Sequence, residues 1–164
     1  MISFKKYEKR NFNDVVWLME AFQDHIVSLD TLKKQRRLPE YGKRYTADLA
    51  KKITREKGLF LLAIDEKKIV GFTAGVIEKQ SKENLLECLP TKIGRVLELF
   101  VTAQYRGQGL GEKLMHKMEE FFKKNKCDAI SVEAFAPNVA ARAFYKKLRY
   151  SERSVQLLKI LSYA

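Results

Sequence analysis

At 164 residues the chain is expected to form a single domain spanning 1–164, because one hydrophobic core usually serves about 100–200 residues. Its 46% apolar and 32% charged residues exclude a disordered chain, and no run of roughly 18 uncharged apolar residues offers a membrane span. The first residues, Met1 to Asn11, also lack the apolar stretch of a secretory leader, so a cytoplasmic location and no membrane partner are expected.

The formal net charge is +12, shared evenly: residues 1–57 carry 14 basic and 8 acidic groups and residues 58–164 carry 18 and 12. There is thus no basic tail. The densest cluster, Lys33-Lys34-Gln35-Arg36-Arg37, has no interleaved aromatic residues that could stack on bases, and it reads as a solvated segment. The charge is the one feature that speaks for nucleic acid, and an anionic cofactor accounts for it equally well. Cys88 and Cys127 stand alone, without the spacing of a zinc or redox motif, so both are expected to be ordinary buried thiols and no metal is expected.

Ile2 to Arg10 mixes apolar and charged residues as a short edge strand does. From Asn13 or Asp14, either of which can cap, Val16, Leu18/Met19, Phe22, Ile26 and Leu29 recur at helical spacing. Leu38-Pro39-Glu40-Tyr41-Gly42 predicts a break, and a second helix is expected from Thr46 as N-cap to Gly58. The apolar runs 59–64 and 69–77, joined by Asp65-Glu66-Lys67-Lys68, predict an antiparallel hairpin. Residues 80–93 form a polar excursion. Beyond it the pattern predicts strands at 95–102, 129–136 and about 152–161, with helices at about 110–125 and 139–148.

The most informative segment is Arg106-Gly107-Gln108-Gly109-Leu110-Gly111, which follows a strand and opens a helix bearing Leu110, Leu114, Met118 and Phe121 on one face. Three alternate glycines remove Cβ atoms where a ligand would approach the backbone, and the N–H groups at a helix start suit a pyrophosphate. A packing turn between strand and helix uses glycines in the same way. Neither a P-loop nor a Rossmann spacing is present.

This segment resembles the Arg/Gln-x-x-Gly-x-Gly/Ala signature of the GNAT N-acetyltransferases. Downstream, Glu133 through Asn138, Ala141 and Tyr145 resemble the family's Glu-x-x-x-x-Asn-x-x-Ala-x-x-x-Tyr segment at matching spacing. A departure occurs at Leu148-Arg149-Tyr150, where the family usually has Leu-Gly-Phe; an arginine there implies left-handed backbone strain or a different turn.

The resemblance implies an α/β layered fold of the acyl-CoA N-acyltransferase type, a mixed, mostly antiparallel sheet flanked by helices. It further implies a sheet splayed between the strands at 95–102 and 129–136, with acetyl-CoA as cosubstrate in the gap. The main chain of Leu99 and Val101 would pair with pantetheine, and Phe100 between them is a further cofactor-binding candidate. Arg106, Gly107, Gln108, Gly109, Leu110, Gly111 and Glu112 would hold the pyrophosphate, and Asn138 either touches the cofactor or caps the next helix. Tyr145 is then the candidate acid for the departing thiolate, its alternative being packing beside Phe144.

Two carboxylates are candidates for the base, Glu98 and Glu133, and family members use either. By strict alternation Glu98 shares a strand face with Val96 and Phe100. His25 and His116 are isolated and read as surface residues. The leading expectation is acetyl transfer to a primary amine, on a small molecule or peptide, by direct attack in a ternary complex. The alternative is a CoA-binding sensor or scaffold, which would need neither an acid nor a base. Family members often dimerise, so a homodimer is also an expectation.

Overall fold

The computed structural model describes residues 1–161, which divide into a compact unit of Met1–Glu133 and a second unit beginning at Ala134. In the first unit the chain runs β1 (Ile2–Lys6), α1 (Phe12–Leu29), α2 (Tyr41–Arg55), β2 (Leu59–Asp65), β3 (Lys68–Glu78), α3 (Asn84–Glu87), β4 (Ile93–Val101), α4 (Leu110–Lys124) and β5 (Ala129–Val132). The strands form one sheet in the order β1-β2-β3-β4-β5. All neighbours are antiparallel except β4 and β5, which are parallel. The expected mixed, mostly antiparallel sheet flanked by helices is therefore observed.

One face of the sheet is covered by α1 and α2. Val15, Leu18 and Met19 of α1 and Leu49 and Ile53 of α2 pack with Phe60, Leu62, Phe72, Ala74, Val76 and Phe100 of the strands. The opposite face receives α4, whose Leu110, Leu114, Met115, Met118 and Phe122 are buried. Phe122, one residue beyond the predicted Phe121, is the fully buried ring of that stripe.

The second helix begins earlier than predicted. Glu40 adopts a left-handed conformation (φ 65°) that turns the chain into α2 at Tyr41, so Thr46 is a buried interior residue and not the cap. Gly42, which looks like a helix breaker, is a close-approach residue instead. A Cβ there would lie 2.6 Å from Glu20 Cγ and 2.8 Å from the Val16 carbonyl oxygen of α1.

The strand predicted at 129–136 ends at Val132, and the segment at 152–161 is not a strand. Residues 151–161 have no regular structure, and their apolar members are exposed, Leu157 at 89%. The apolar pattern of a strand is present there, but no hydrogen-bonding partner strand stands beside it among the described residues. The second unit is built on α5 (Val139–Lys147), capped by Asn138 Oδ1, which accepts from the Ala141 amide at 3.0 Å.

The end of α5 carries the strain implied by Arg149. This residue sits at φ 65°, with its amide bonded to the Lys146 carbonyl at 2.9 Å and the Tyr150 amide to the Tyr145 carbonyl at 3.0 Å. These two bonds are the Schellman pattern that normally employs glycine. Arg149→Gly should therefore raise stability by about 0.5–1 kcal/mol, relief of left-handed strain outweighing the added freedom of the unfolded chain; urea denaturation measures it.

Both glycines under Phe122 are required for packing. A Cβ on Gly94 would meet the Phe122 ring at 2.4 Å, and one on Gly75 would meet it at 2.8 Å. Gly94→Ala should push α4 off the sheet and cost about 1–3 kcal/mol, the scale of core overpacking, seen as a lowered Tm.

Candidate functional site

The site is organised by an irregularity in β4. Ala74 pairs with Glu98 and the next β3 residue, Gly75, pairs with Val96, so Leu97 is an extra residue, a β-bulge. Directly paired residues point to the same face of a sheet. Gly75 points at Phe122 and Met118 of α4, whereas Ala74 belongs to the core beneath α1 and α2. The bulge thus leaves Val96 on the α4 face and turns Glu98 and Phe100 toward α1 and α2. Strict alternation placed all three together, and the bulge is why Val96 departs.

The pairing of β4 with β5 stops at the same place. It covers Ile93 to Val96 opposite Ala129 to Val132, and Leu97 to Val101 have no strand on that edge among the described residues. The pairing ends because β5 itself ends at Val132, short of the 129–136 expected. The carbonyl of Val101 accepts a hydrogen bond from Arg106 Nε at 2.9 Å, and the same guanidinium lies 5.6 Å from the Phe100 ring centroid. Phe100 itself is buried, stacked on Phe22 and tilted against Phe72, and its main chain is on the rung that faces Phe72 of β3, so it is Leu99 and Val101 whose main chain faces the free edge.

Beyond β4, a 3-10 turn at Ala103–Tyr105 leads into the glycine segment. This turn is pinned by the Tyr105 hydroxyl, which donates to Asp65 at 2.9 Å, and by Thr102, whose amide and hydroxyl both donate to the Val70 carbonyl. Gly107 and Gly109 have φ of 74° and 76°, and no heavy atom lies within 4 Å of a Cβ built on either. They are glycines for backbone conformation and open space; packing does not require them. Leu110 is buried and anchors the helix, while Gln108 Nε2 donates to the Gln104 carbonyl at 2.7 Å.

The first turn of the helix is closed by the Lys113 amide, which donates to the Gly109 carbonyl at 3.1 Å. The amides from Gly107 to Gly111 lead into α4 and stand at its positive end. Glu112 lies in the first turn of the same helix. An extended, amide-bearing ligand would find the open edge of β4, and a diphosphate the turn that follows it.

Glu98 is half-buried, and burial pushes its carboxyl up to about 7, against a smaller opposing effect of the hydrogen bond it receives from the Tyr45 hydroxyl. Tyr45 lies on α2 beside Tyr41, their rings stacked with centroids 5.4 Å apart. Sequence reasoning missed both tyrosines because it began the helix after them. With α2 started at Tyr41, their i, i+4 spacing would have placed them on one face.

Glu133 differs in kind. It is exposed, and it shares Arg95 with Glu78, each carboxylate at 3.0 Å from the guanidinium. His25 is half-buried; desolvation and the nearby charge of Arg106 hold its imidazole below the ordinary value. It therefore borders the glycine segment, whereas His116 is exposed and pairs with Glu120 at 3.5 Å. Cys88 and Cys127 are half-buried and not buried as expected.

In the second unit Asn138 is the N-cap of α5, and Tyr145 packs edge-on against Phe144 and Tyr150, with ring centroids 5.3 and 5.8 Å away. Among the described residues no three His, Cys, Asp or Glu side chains converge as a metal site would need, and no helix is long and apolar enough to cross a membrane.

Comparison with known proteins gives the same fold. The chain superimposes on the BH1408 protein of Bacillus halodurans with a TM-score of 0.82, at 20% identity over 97% of this chain and 99% of that one. It also superimposes on AAC(6')-Iy in complex with a bisubstrate analog, CoA-S-monomethyl-acetylneamine, with a TM-score of 0.70, at 13% identity over 98% and 99% of the two chains. In sequence it is similar to a probable N-acetyltransferase, HLS1, of Arabidopsis thaliana, 31% identical over 103 residues, 56% of this chain and 26% of the relative. The matches to curated relatives span 26–37% of their length. The model of the acetyltransferase (GNAT) family matches residues 18–150, and the chain belongs to that family.

Proposed function

We propose that this chain transfers an acetyl group from acetyl-CoA to a primary amine by direct attack in a ternary complex. The observation that carries the reading is that one strand, β4, has an edge free of β5 from Leu97 to Val101, leads into a glycine turn with open space, and bears a half-buried glutamate. In this reading the main chain of Leu99 and Val101 pairs with the pantetheine amides, while Phe100 lies between them with its own main chain toward β3. The Gly107–Glu112 turn cradles the pyrophosphate, with Arg106 and Gln108 along its rim. The fold similarity to a protein holding a CoA-containing bisubstrate analog supports this placement of the cosubstrate.

Acetyl-CoA supplies an acetyl group activated as a thioester. Glu98 takes a proton from the acceptor ammonium, directly or through one water, and the neutral nitrogen bonds to the carbonyl carbon as the carbon–sulfur bond breaks. Tyr145, proposed on the family resemblance of its segment, gives its hydroxyl proton to the departing sulfur, and the second proton that the nitrogen sheds as the amide forms passes through solvent to restore the phenol. Glu98 is preferred over Glu133 because a base works best with a pKa near the working pH, which burial of Glu98 supplies. Glu133 is exposed and already engaged with Arg95.

Acetyl-CoA should raise the Tm, since a ligand at one hundred times its Kd adds about 2.7 kcal/mol to the folded state. Gly109→Val should abolish most of that rise while the chain remains folded, because a side chain there strains the backbone by about 1–2 kcal/mol and fills the cradle. Absence of any wild-type shift at millimolar acetyl-CoA would overturn the placement. A panel of amine acceptors, with release of free thiol as the signal, tests the activity itself.

Glu98→Gln should lower kcat/KM by about 10²–10⁴-fold near neutral pH, remove the limb of the pH profile near 7, and recover partly at high pH, where free amine accumulates. The same variant has a stability signature. Because the folded carboxyl titrates above its unfolded value, its stabilisation is full below the unfolded pKa and is lost as pH rises through about 7. The Tm of wild type minus that of Glu98→Gln should therefore fall between pH 5 and 8; a constant difference would show that Glu98 is not buried as described.

A further inference from the structure

We infer that Tyr45 is a positioning residue for Glu98, its hydroxyl holding the carboxylate at one place on the wall formed by α2. The inference deepens the proposed function and rests on Glu98 being the base. Its foundation is geometric. The bulge at Leu97 turns Glu98 toward α2, where the Tyr45 hydroxyl donates to Glu98 Oε1. The main chain of Glu98 is held as well, because its carbonyl accepts from the hydroxyl of the fully buried Thr73 at 3.0 Å. With both ends of the glutamate tied, the side chain has little freedom to swing.

Tyr45 is itself fixed. Its ring stacks on Tyr41 at an interplanar angle of 22°, and the adjacent Thr46 is fully buried, as Leu49 nearly is, one turn further along α2. The helix is seated against α1 through Gly42. A tyrosine one residue along in this helix would not face the sheet in the same way, since neighbouring positions differ by about 100° around the axis.

The electrostatics follow from that geometry. A hydroxyl donating to a carboxylate favours its charged form, so Tyr45 opposes the effect of burial on Glu98. The titratable groups acting on this carboxylate come from α2: Tyr45, and Tyr41 through its charge interaction. From β3 comes the neutral Thr73 hydroxyl, and α1, packed on the same face, brings Phe22 against Phe100 and His25 beside Arg106. Burial and the Glu98 charge push Tyr41 up to about 12 and Tyr45 further above the usual phenol value. Both hydroxyls therefore keep their protons through neutral pH, and Tyr45 remains a donor while Glu98 titrates.

The test is a carboxyl-carbon NMR titration of glutamate-labelled protein, alongside pH profiles of kcat/KM for a primary amine acceptor. The Glu98 signal is assigned by its loss in Glu98→Gln. In Tyr45→Phe its midpoint should rise by about one pH unit or more, the scale of a lost hydrogen bond to a charged group, and the kinetic limb should rise with it. Tyr41→Phe, which keeps the stacked ring, should move either value by only about 0.3 or less. An unmoved Glu98 midpoint in a folded Tyr45→Phe, checked by its Tm, overturns the positioning role. Full activity of Glu98→Gln overturns the base assignment instead, and with it the kinetic role of Tyr45, while the titration still reports the contact.

Discussion

The bulge at Leu97 is the constraint on which the rest of the first unit depends. One extra residue in β4 reverses the facing of everything after it, and that single reversal sends Val96 under α4 but Glu98 and Phe100 under α1 and α2. It also coincides with the last pairing between β4 and β5. A bulge increases local twist and disrupts the ladder. The open edge and the turned carboxylate are thus two consequences of the same backbone irregularity, which is why an unpaired edge and a half-buried acid stand on one strand.

The helix that follows must bring its N-terminus to that edge without closing it. The packing of α4 sets this distance, because Gly75 and Gly94 let the Phe122 ring lie directly on the sheet backbone. At the other end of the helix the requirement is opposite: Gly107 and Gly109 have open space around them and are demanded by positive φ alone. Glycines with no Cβ for the sake of contact thus lie on β3 and β4, and those with no Cβ for the sake of conformation follow in the turn before α4.

What could be read from the sequence follows this division. The turn at Arg106–Gly111 was legible because conformational glycines cluster and stand next to a strongly amphipathic helix. The hairpin of β2 and β3 and the α4 and α5 helices were legible for the same reason, periodicity bounded by breakers, whereas the mostly antiparallel pairing of the whole sheet came from the family resemblance. Gly42 was not, since a close-approach glycine and a helix-breaking glycine look alike until the neighbouring helix is known; losing it hid Tyr41 and Tyr45. The bulge was equally invisible, because Val96, Glu98 and Phe100 alternate without a mark in the sequence. At 152–161 the apolar alternation was real, but a strand exists only beside another strand, and local pattern carries no information about a partner.

The charge of +12 acquires a local meaning from the ion pairs. Arg95 pairs with both Glu78 and Glu133, so one positive and two negative groups leave a locally negative balance at the end of β4 where β5 pairs. The basic stretch after α1 is held as an ordered surface turn: Asp30 accepts from the amides of Leu32, Lys34 and Gln35, and Arg37 pairs with Asp24 at 2.6 Å. Those backbone bonds are the first reason the Asp30 carboxyl sits below its usual range. The lysines of that turn face water, where a Debye length of about 8 Å at physiological salt limits their reach. What remains close to the glycine turn is Arg106, whose charge already depresses His25. Burial is the larger cause of that depression and the guanidinium the smaller, so a group of opposite charge beside the arginine relieves only the smaller part of it.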